Sequence, residues 1–313
     1  MAQKRKKSSK APLILLVLAA LGFAGYYAYN HGPKEVKETA DRFYEQARET
    51  VAPALPSSDP APPTSEPIQK SYTVGSYGQT FTYAGTPVPT TYPNSITVLA
   101  NSAFLVGYDD KRENPAWVAY RVPAKVVLTK LPELKHFDTD SRTTSLVTHD
   151  DFTNTGFDRG HMAPNLAIAS RFGKEAQAET YVMSNVVPQK PDLNQGPWRL
   201  LEETVATKTA PATGEVWVVT GPIYDNQPQH LKAGNEIPDA FFKVIVDETP
   251  SGLRLQAFIL PQSAPRKADY RAYRTSVDDV ERQSGFDLFT ELPDNQEEQL
   301  ESAAASYWLE SPQ

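Results

Sequence analysis

The sequence predicts a globular domain of the α+β class. Three observations carry this prediction. Hydrophobic residues make up 40% of the 313 residues, which is enough for a substantial core. Several segments of strand length are interspersed with a few helical ones, and the chain has no internal repeat. At about 150 residues per domain the length allows one large domain or two small ones, and we expect one.

Five segments predict the strands of a sheet. Their residues alternate or run apolar, and they end at turn-forming residues such as Asp109-Asp110-Lys111 and Gly221-Pro222. The segments are Ser95–Tyr108, Trp117–Val122, Glu215–Thr220, Phe241–Val246 and Leu253–Leu260. Two later segments, Asp269–Ser284 and Asn295–Trp308, predict helices.

The first 70 residues differ in composition from the rest. Residues 1–10 form a basic tail, and 11–29 are almost entirely apolar, close to the roughly 20 residues that span a bilayer. They predict an uncleaved transmembrane signal anchor, with a cleaved signal peptide as the alternative. Residues 30–51 predict a juxtamembrane helix and 52–70 a Pro-rich linker, so the domain would occupy 71–313. We expect a single-pass protein of the bacterial inner membrane with its domain outside the cytoplasm, or a secreted protein after cleavage.

Charge and cysteine content exclude several kinds of site. The chain has no cysteine, which excludes disulfides and thiolate metal sites. Its formal net charge is −7, and residues 31–313 alone carry 26 basic and 38 acidic residues, a net of −12. Such an acidic body argues against broad electrostatic adhesion to nucleic acid or to anionic membranes. Binding of a polyanion would therefore depend on a local basic cleft.

The segment from Phe157 to Glu202 concentrates Arg, His, Asn and Glu side chains. It contains Asp158-Arg159-Gly160-His161, then Ser184-Asn185, Pro188-Gln189-Lys190 and Asp192-Leu193-Asn194-Gln195-Gly196. This ordered series resembles the DNA/RNA non-specific endonuclease family. Blocks such as Trp117-Val118-Ala119-Tyr120, Val219-Thr220-Gly221-Pro222 and Phe242-Lys243 extend the resemblance to about residues 95–300.

The resemblance implies a ββα-metal finger nuclease with a central antiparallel sheet flanked by helices, preceded here by the transmembrane helix. It also implies an Mg²⁺-dependent hydrolase, with Mn²⁺ as a substitute, whose substrates are DNA and RNA and whose products carry 5′-phosphates. Partners would be these nucleic acids and, through the N-terminal helix, the membrane. A homodimer is left open, and no protein inhibitor can be inferred.

The residue types fit phosphodiester hydrolysis. His161 suits a general base because imidazole titrates near neutral pH. The amide oxygen of Asn194 would bind a largely hydrated Mg²⁺. Glu202 lies eight residues later, about two turns into a helix that starts near Gly196-Pro197, where it can hold a metal-bound water. Arg159 and Arg142 offer guanidinium groups to the phosphate.

Other residues of the segment have supporting roles in this interpretation. Candidates for tracking the nucleic-acid backbone are Lys174, Lys190 and Arg199. Asp158 is expected to form an ion pair with Arg159, and Gly160 to let the backbone bend so that His161 faces the cleft. Asn185 and Gln189 are expected to hold the finger together by hydrogen bonds.

Alternative functions remain open at this point. A membrane-anchored nucleic-acid-binding or uptake component with weak or no catalysis is the main one, and a nucleotide phosphodiesterase acting on small substrates is another. The chain has no His-Glu-x-x-His, no Gly-x-Ser-x-Gly and no Gly-rich phosphate loop ending in Gly-Lys-Ser/Thr. Zinc proteases, α/β-hydrolase-type serine hydrolases and P-loop nucleotidases therefore receive no support.

Overall fold

The computed structural model describes residues 80–128, 132–249, 252–302 and 304–310. The predicted basic tail, transmembrane anchor, juxtamembrane helix and linker all lie outside these ranges. Within them, no helix combines the length and the apolar character that crossing a bilayer requires.

A seven-stranded antiparallel sheet forms the centre of the domain. Its strands follow the spatial order β12-β11-β10-β7-β4-β3-β2, so the central antiparallel sheet of the prediction is confirmed. The strands of the described chain are β1 (Val88–Pro89), β2 (Thr97–Ala100), β3 (Phe104–Asp109), β4 (Asn114–Pro123), β5 (Asp158–His161), β6 (Val186–Gln189), β7 (Glu215–Ile223), β8 (Gln229–His230), β9 (Glu236–Ile237), β10 (Ala240–Thr249), β11 (Gly252–Pro261), β12 (Arg274–Thr275) and β13 (Phe286–Asp287).

The five predicted strand segments are confirmed, with one subdivision. Ser95–Tyr108 forms two strands, β2 and β3, joined by a turn at 101–103. The inner strands β4, β7 and β10 are buried along most of their length because helices or loops cover both faces of the sheet. Their nearly continuous Val, Phe, Trp and Ile residues reflect this double coverage.

The helices are α1 (Asn165–Phe172), α2 (Lys174–Thr180), a segmented helix that we call the finger helix, α3 (Val277–Ser284) and α4 (Asp294–Glu301). The finger helix consists of Pro191–Leu193, Asn194–Trp198, Arg199–Thr204, Val205–Thr209 and Ala210–Thr213, the second and fourth parts being π turns. Short 3₁₀ turns occur at His149–Phe152, Met183–Asn185 and Tyr270–Tyr273.

The two predicted C-terminal helices are only partly correct. Asp269–Ser284 begins with the 3₁₀ turn and β12, and its α-helix starts at Val277, because the Ser276 side chain caps the helix by accepting from the backbone N–H of Asp279 at 3.1 Å. The second helix ends at Glu301 instead of Trp308. Helices α1 and α2 were not predicted, because their short Ala-containing segments do not differ clearly in sequence from the loops around them.

The two faces of the sheet carry separate cores. The core that includes Trp198 and Leu201 of the finger helix also contains Ile168 of α1, so this face supports the finger. The opposite core contains Val277 and Val280 of α3. The finger itself is the hairpin of β5 and β6, which pair with Asp158 opposite Gln189 and His161 opposite Val186, followed at once by the finger helix.

Candidate active site

A cleft of about 720 Å³ opens beside the finger. Its walls come from β5, the finger helix, α1 and the segment 133–137. Six of the residues singled out in the sequence line it, namely Asp158, Arg159, His161, Asn194, Arg199 and Glu202. The fold therefore brings residues from both ends of the segment Phe157–Glu202 into the same cleft.

His161 ends β5, and its ring is enclosed by aromatic side chains. The Phe137 ring centroid lies 5.1 Å away and that of Tyr181 4.8 Å away, edge-on. Nε2 of His161 is buried without a hydrogen-bond partner among the described residues. Burial lowers the pKa of His161 to about 4. The imidazole is therefore neutral at physiological pH and able to accept a proton.

Gly160 leaves the space that the Gln189 side chain fills. A Cβ on Gly160 would lie 2.2 Å from Oε1 of Gln189, the residue of β6 that packs across the hairpin. Gln189 is fully buried, and neither its Oε1 nor its Nε2 has a hydrogen-bond partner in the described chain. The expectation that Gln189 holds the finger by hydrogen bonds therefore applies only to its backbone, which pairs with Asp158 in the hairpin, because the side-chain amide fills the space that Gly160 leaves.

Asn185 makes the hydrogen bonds that stabilise the turn after His161. Its Oδ1 accepts from the backbone N–H of Ala163 at 2.8 Å. Its Nδ2 donates to the carbonyl oxygens of Ala163 and Thr180, each at 3.0 Å. The fully buried side chain therefore connects the end of β5 to the start of β6 without reaching the cleft.

Asp158 positions Asn194, which corrects the expected ion pair with Arg159. Its Oδ2 accepts from Nδ2 of Asn194 at 2.9 Å and from Nε2 of Gln195 at 2.8 Å. With its nitrogen held in this way, the Asn194 amide keeps its oxygen available to the cleft. The finger hairpin and the finger helix are joined at this point by a charge-assisted contact.

Arg159 is held by the 3₁₀ turn at 149–152. Its Nη2 donates to the carbonyl oxygen of His149 at 2.6 Å and to Oγ1 of Thr153 at 2.9 Å, and its Nε also donates to His149. No described acceptor bonds to its Nη1, so one edge of the guanidinium can donate to an anion in the cleft. His149 itself lines the cleft and stacks between His136 and Phe137, at ring distances of 4.7 and 6.0 Å.

A kink sets the direction of the finger helix. The helix begins at Pro191, earlier than predicted, and the backbone of Gly196 leaves helical geometry at φ −111° and ψ −119°. A Cβ at this residue would lie 2.5 Å from the carbonyl oxygen of Arg266, so the close approach requires glycine. After the kink, the regular turn Arg199–Thr204 carries Glu202 to the cleft and Leu201 into the core.

Glu202 is paired with a lysine that the sequence analysis did not assign to the site. Nζ of Lys243, on β10, lies 3.5 Å from Oε1 of Glu202 and 4.4 Å from the centre of the Trp198 ring. It also donates to the Tyr120 hydroxyl at 3.3 Å, and its side chain is completely buried. Burial raises the pKa of Glu202 to about 7 although Lys243 opposes the shift. Burial likewise lowers the pKa of Lys243.

Besides the buried Gly160, Asn185 and Gln189, three residues predicted to contact the substrate do not line the cleft. The Nε–Nη2 edge of the Arg142 guanidinium makes a bidentate contact with the Asp140 carboxylate, with Nε 2.8 Å from Oδ1 and Nη2 2.6 Å from Oδ2. Its Nη1 donates to the carbonyl oxygen of Ala100, so Arg142 joins two loops and has no free edge for phosphate. Lys174 begins α2, and Lys190 lies beside a separate hollow near Gln262.

The charge of the cleft is mixed, so the described walls do not form the basic cleft that polyanion binding would need. Its basic residues are Lys135, Arg159 and Arg199, and its acidic residues are Glu133, Asp158, Glu202 and Glu203. Arg199 already pairs with Glu203 at 3.2 Å. Electrostatic attraction of nucleic acid therefore needs a further positive charge.

The donors at this place fit a hydrated Mg²⁺. Oxygen ligands suit this cation, and it keeps several waters, so it needs few protein ligands. The oriented Asn194 oxygen would provide one ligand, and the Glu202 carboxylate, which lines the same cleft, would accept from a metal-bound water. Lys243 holds that carboxylate from behind.

Comparisons with known proteins identify the family of the chain. Residues 84–295 match the family model of the DNA/RNA non-specific endonucleases. The chain is 35% identical to the nuclease of Serratia marcescens over 150 residues, covering 46% of this chain and 55% of that protein. It is 30% identical to the mitochondrial nuclease EXOG of Danio rerio over 213 residues, covering 61% and 60%. The matches thus span less than two thirds of these relatives.

A solved structure shows the same fold. The crystal structure of the EndoG/EndoGI complex, described as showing the mechanism of EndoG inhibition, aligns with a TM-score of 0.57 and 25% identity, over 64% of this chain and 88% of that one. Because the family model covers most of the domain, the resemblance read from the sequence is confirmed. The chain belongs to the DNA/RNA non-specific endonuclease family, a family of hydrolytic enzymes.

Proposed function

We propose that this protein is an Mg²⁺-dependent endonuclease that hydrolyses phosphodiester bonds of DNA and RNA with little sequence preference. The observation that supports this most is the convergence of His161, Arg159, Asn194 and Glu202 in one cleft on the finger. A binding component would not need a neutral imidazole beside an oriented amide oxygen.

His161 is the general base of the proposed reaction. Its low pKa keeps the ring unprotonated, and a water in the cleft loses a proton to the imidazole as its oxygen attacks phosphorus. Arg159 donates from its free Nη1 edge to a phosphoryl oxygen and holds the scissile group in place. The P–O3′ bond breaks as the new P–O bond forms, which leaves a 5′-phosphate on one fragment, and the departing 3′ oxygen takes a proton from solvent water to become the 3′-hydroxyl of the other.

Asn194 and Glu202 would hold the cation. When bound, Mg²⁺ supplies positive charge for the phosphoryl oxygens and for the leaving oxygen. Asp158 keeps the Asn194 oxygen turned toward the cleft, and Lys243 keeps Glu202 in position. Arg199, at the edge, contacts the backbone of the polymer beyond the scissile bond. Contacts of this kind go to phosphates, which explains why little sequence is read.

The location of the protein is part of the proposal. The apolar run at 11–29 and the basic residues before it support a single-pass anchor in the bacterial inner membrane with the nuclease outside the cytoplasm. A secreted form after signal cleavage is the alternative. Fractionation of cells that express the full chain, with a tag at each end, separates the two.

The test of activity uses the full chain with supercoiled plasmid and, separately, with structured RNA in Mg²⁺. We expect nicking and degradation of both, abolished by EDTA and by His161→Ala. The matched control is His230→Ala, which removes an exposed histidine outside the cleft. Nicks that DNA ligase reseals directly would show 5′-phosphate and 3′-hydroxyl ends. A wild-type chain that binds plasmid but leaves it intact would refute the proposal and favour the binding component.

A further inference from the structure

A second acidic site lies away from the active cleft. Asp278 and Glu281 of α3 and Glu301 of α4 each offer a carboxylate oxygen, and these oxygens lie within 4.8 Å of one another. Among the residues that the structure describes, this is the one group of three His or acidic side chains placed so closely. The hollow around them shares no lining residue with the active cleft.

Glu301 is placed where an unpaired carboxylate is most unfavourable. Glu301 is only 4% exposed, and its Oε1 is buried without a hydrogen-bond partner in the described chain. It is also the last residue of α4, where the helix dipole disfavours negative charge. A buried carboxylate that lines an acidic hollow with no donor must either keep its proton or meet a positive partner.

The surroundings do not supply that partner. Further acids, among them Asp287, Asp294, Glu297 and Glu298, line the same hollow, and Arg282 is its one basic lining residue. Arg282 is already engaged in an ion pair with Asp279. Burial is the main cause that raises the pKa of Glu301 to about 9, and neighbouring carboxylates add to it. The same two causes raise the pKa of Glu281 to about 7.

We propose that Asp278, Glu281 and Glu301 bind a Ca²⁺ ion that connects the N-terminal half of α3 to the last turn of α4. Ca²⁺ binds carboxylate oxygens at about 2.4 Å in flexible geometry, so oxygens up to about 4.8 Å apart can share one ion. Mg²⁺ fits less well because it requires nearly ideal octahedral geometry at about 2.1 Å and retains its waters. Exposed Asp278 leaves the outer side open for water ligands.

The backbone already prepares one ligand. The N–H of Leu288 donates to Oε1 of Glu281 at 2.7 Å, which fixes this carboxylate while its second oxygen remains free. The ion would thereby also stabilise the loop after α3, which contains Phe286 and Leu288 of the core. The role of the site is structural, and it does not depend on the proposed nuclease activity.

The test is a thermal unfolding titration of the full chain with Ca²⁺, in Mg²⁺ so that the active cleft is already supplied. At a hundredfold excess over the dissociation constant we expect Tm to rise by about 5 to 10 °C. Asp278→Asn and Glu301→Gln should each remove most of this rise, and Asp278 is exposed enough for its variant to fold normally. Glu298→Gln, which removes an exposed acid from the same hollow, should retain it.

Three outcomes would overturn the proposal. A wild-type Tm that does not respond to Ca²⁺ would mean that the trio shares protons instead of binding a cation. A response that Glu298→Gln weakens as much as Glu301→Gln does would indicate diffuse attraction by the acidic hollow. A response that survives Glu301→Gln and Asp278→Asn but is lost in Asn194→Ala would place the ion in the active cleft. Plasmid cleavage measured on the same samples reports the nuclease proposal separately.

Discussion

Lys243 controls the ionisation of Glu202, and its removal should shift the pH dependence of cleavage. Burial gives Glu202 a pKa of about 7, and the buried ammonium at 3.5 Å is the charge that keeps it from rising further. Lys243→Met removes this charge and keeps an unbranched side chain of similar length. Glu202 should then bind its proton more tightly.

The distance gives the size of the effect. Two unit charges 3.5 Å apart attract by about 4 to 5 kcal/mol at an effective dielectric constant of about 20. At about 1.4 kcal/mol per pKa unit, loss of this attraction raises the pKa of Glu202 by up to about 3 units. Breaking a buried ion pair usually costs about 3 to 5 kcal/mol of stability, but a carboxyl that already titrates near neutral pH can take up a proton instead, so we expect a smaller loss.

The assay is kcat/KM for cleavage of a labelled duplex by the full chain at one fixed, subsaturating Mg²⁺ concentration, measured across pH. His161 stays neutral down to about pH 4, so the loss of activity on the acidic side reports Glu202, near pH 7 in the wild type. In Lys243→Met the pH at which activity is half lost on the acidic side should rise by at least about one unit. Lys208→Met, which removes an exposed lysine of the finger helix, is the matched control.

One result would refute this reasoning. If Lys243→Met is folded and its acidic limb stays at the wild-type pH, Lys243 does not set the ionisation of Glu202. A double variant with Glu202→Gln makes the assignment specific, because the titration near pH 7 should be missing both there and in Glu202→Gln alone.

Three further predictions follow from the finger. Asp158→Asn should weaken Mg²⁺ binding by about 10- to 100-fold, because the Asn194 amide loses the carboxylate that orients it. The measurement is the Mg²⁺ concentration that gives half-maximal cleavage, which should rise; an unchanged concentration would contradict this prediction. Gly160→Ala should lower the free energy of unfolding by at least about 1 to 3 kcal/mol, and Gln189→Ala in the same chain should recover much of it. The unfolding free energy should fall by up to about 3 kcal/mol from pH 6.5 to 4 through His161, whose lowered pKa makes the unfolded state bind the extra proton, and His161→Gln should lose this component.

Much of the finger could be predicted from the sequence because its geometry is local. His161, Asn194 and Glu202 lie on one hairpin and the helix that follows it, so their spacing carries most of the information about where they meet. The strands could equally be predicted, since segments such as Phe241–Val246 are strongly apolar over a strand's length. The helix start at Val277 shows the limit, because one Ser cap decided it.

Arg142 and Lys243 show what the sequence could not provide. Arg142 has the right chemistry for a phosphate, yet Asp140, two residues away, saturates it, and which of the two contacts prevails depends on loop geometry. Lys243 was noticed only as part of a family-like block. Its contact with Glu202 crosses 41 residues and exists because the register of β10 on β7 places its side chain beneath the finger helix. No local periodicity encodes such a contact.

The electrostatics of the cleft explain why the base and the carboxylate need such different environments. Aromatic rings around His161 exclude water and keep the imidazole neutral, and the same kind of burial would also neutralise Glu202. Lys243 opposes that neutralisation from the protein side, but only enough to hold the pKa near 7. A divalent cation on the cleft side would complete the ionisation of Glu202, so cation binding and activity should strengthen together as pH rises through this value. The mixed charge of the cleft is then suited to a cation and a phosphate bound together rather than to the polyanion alone.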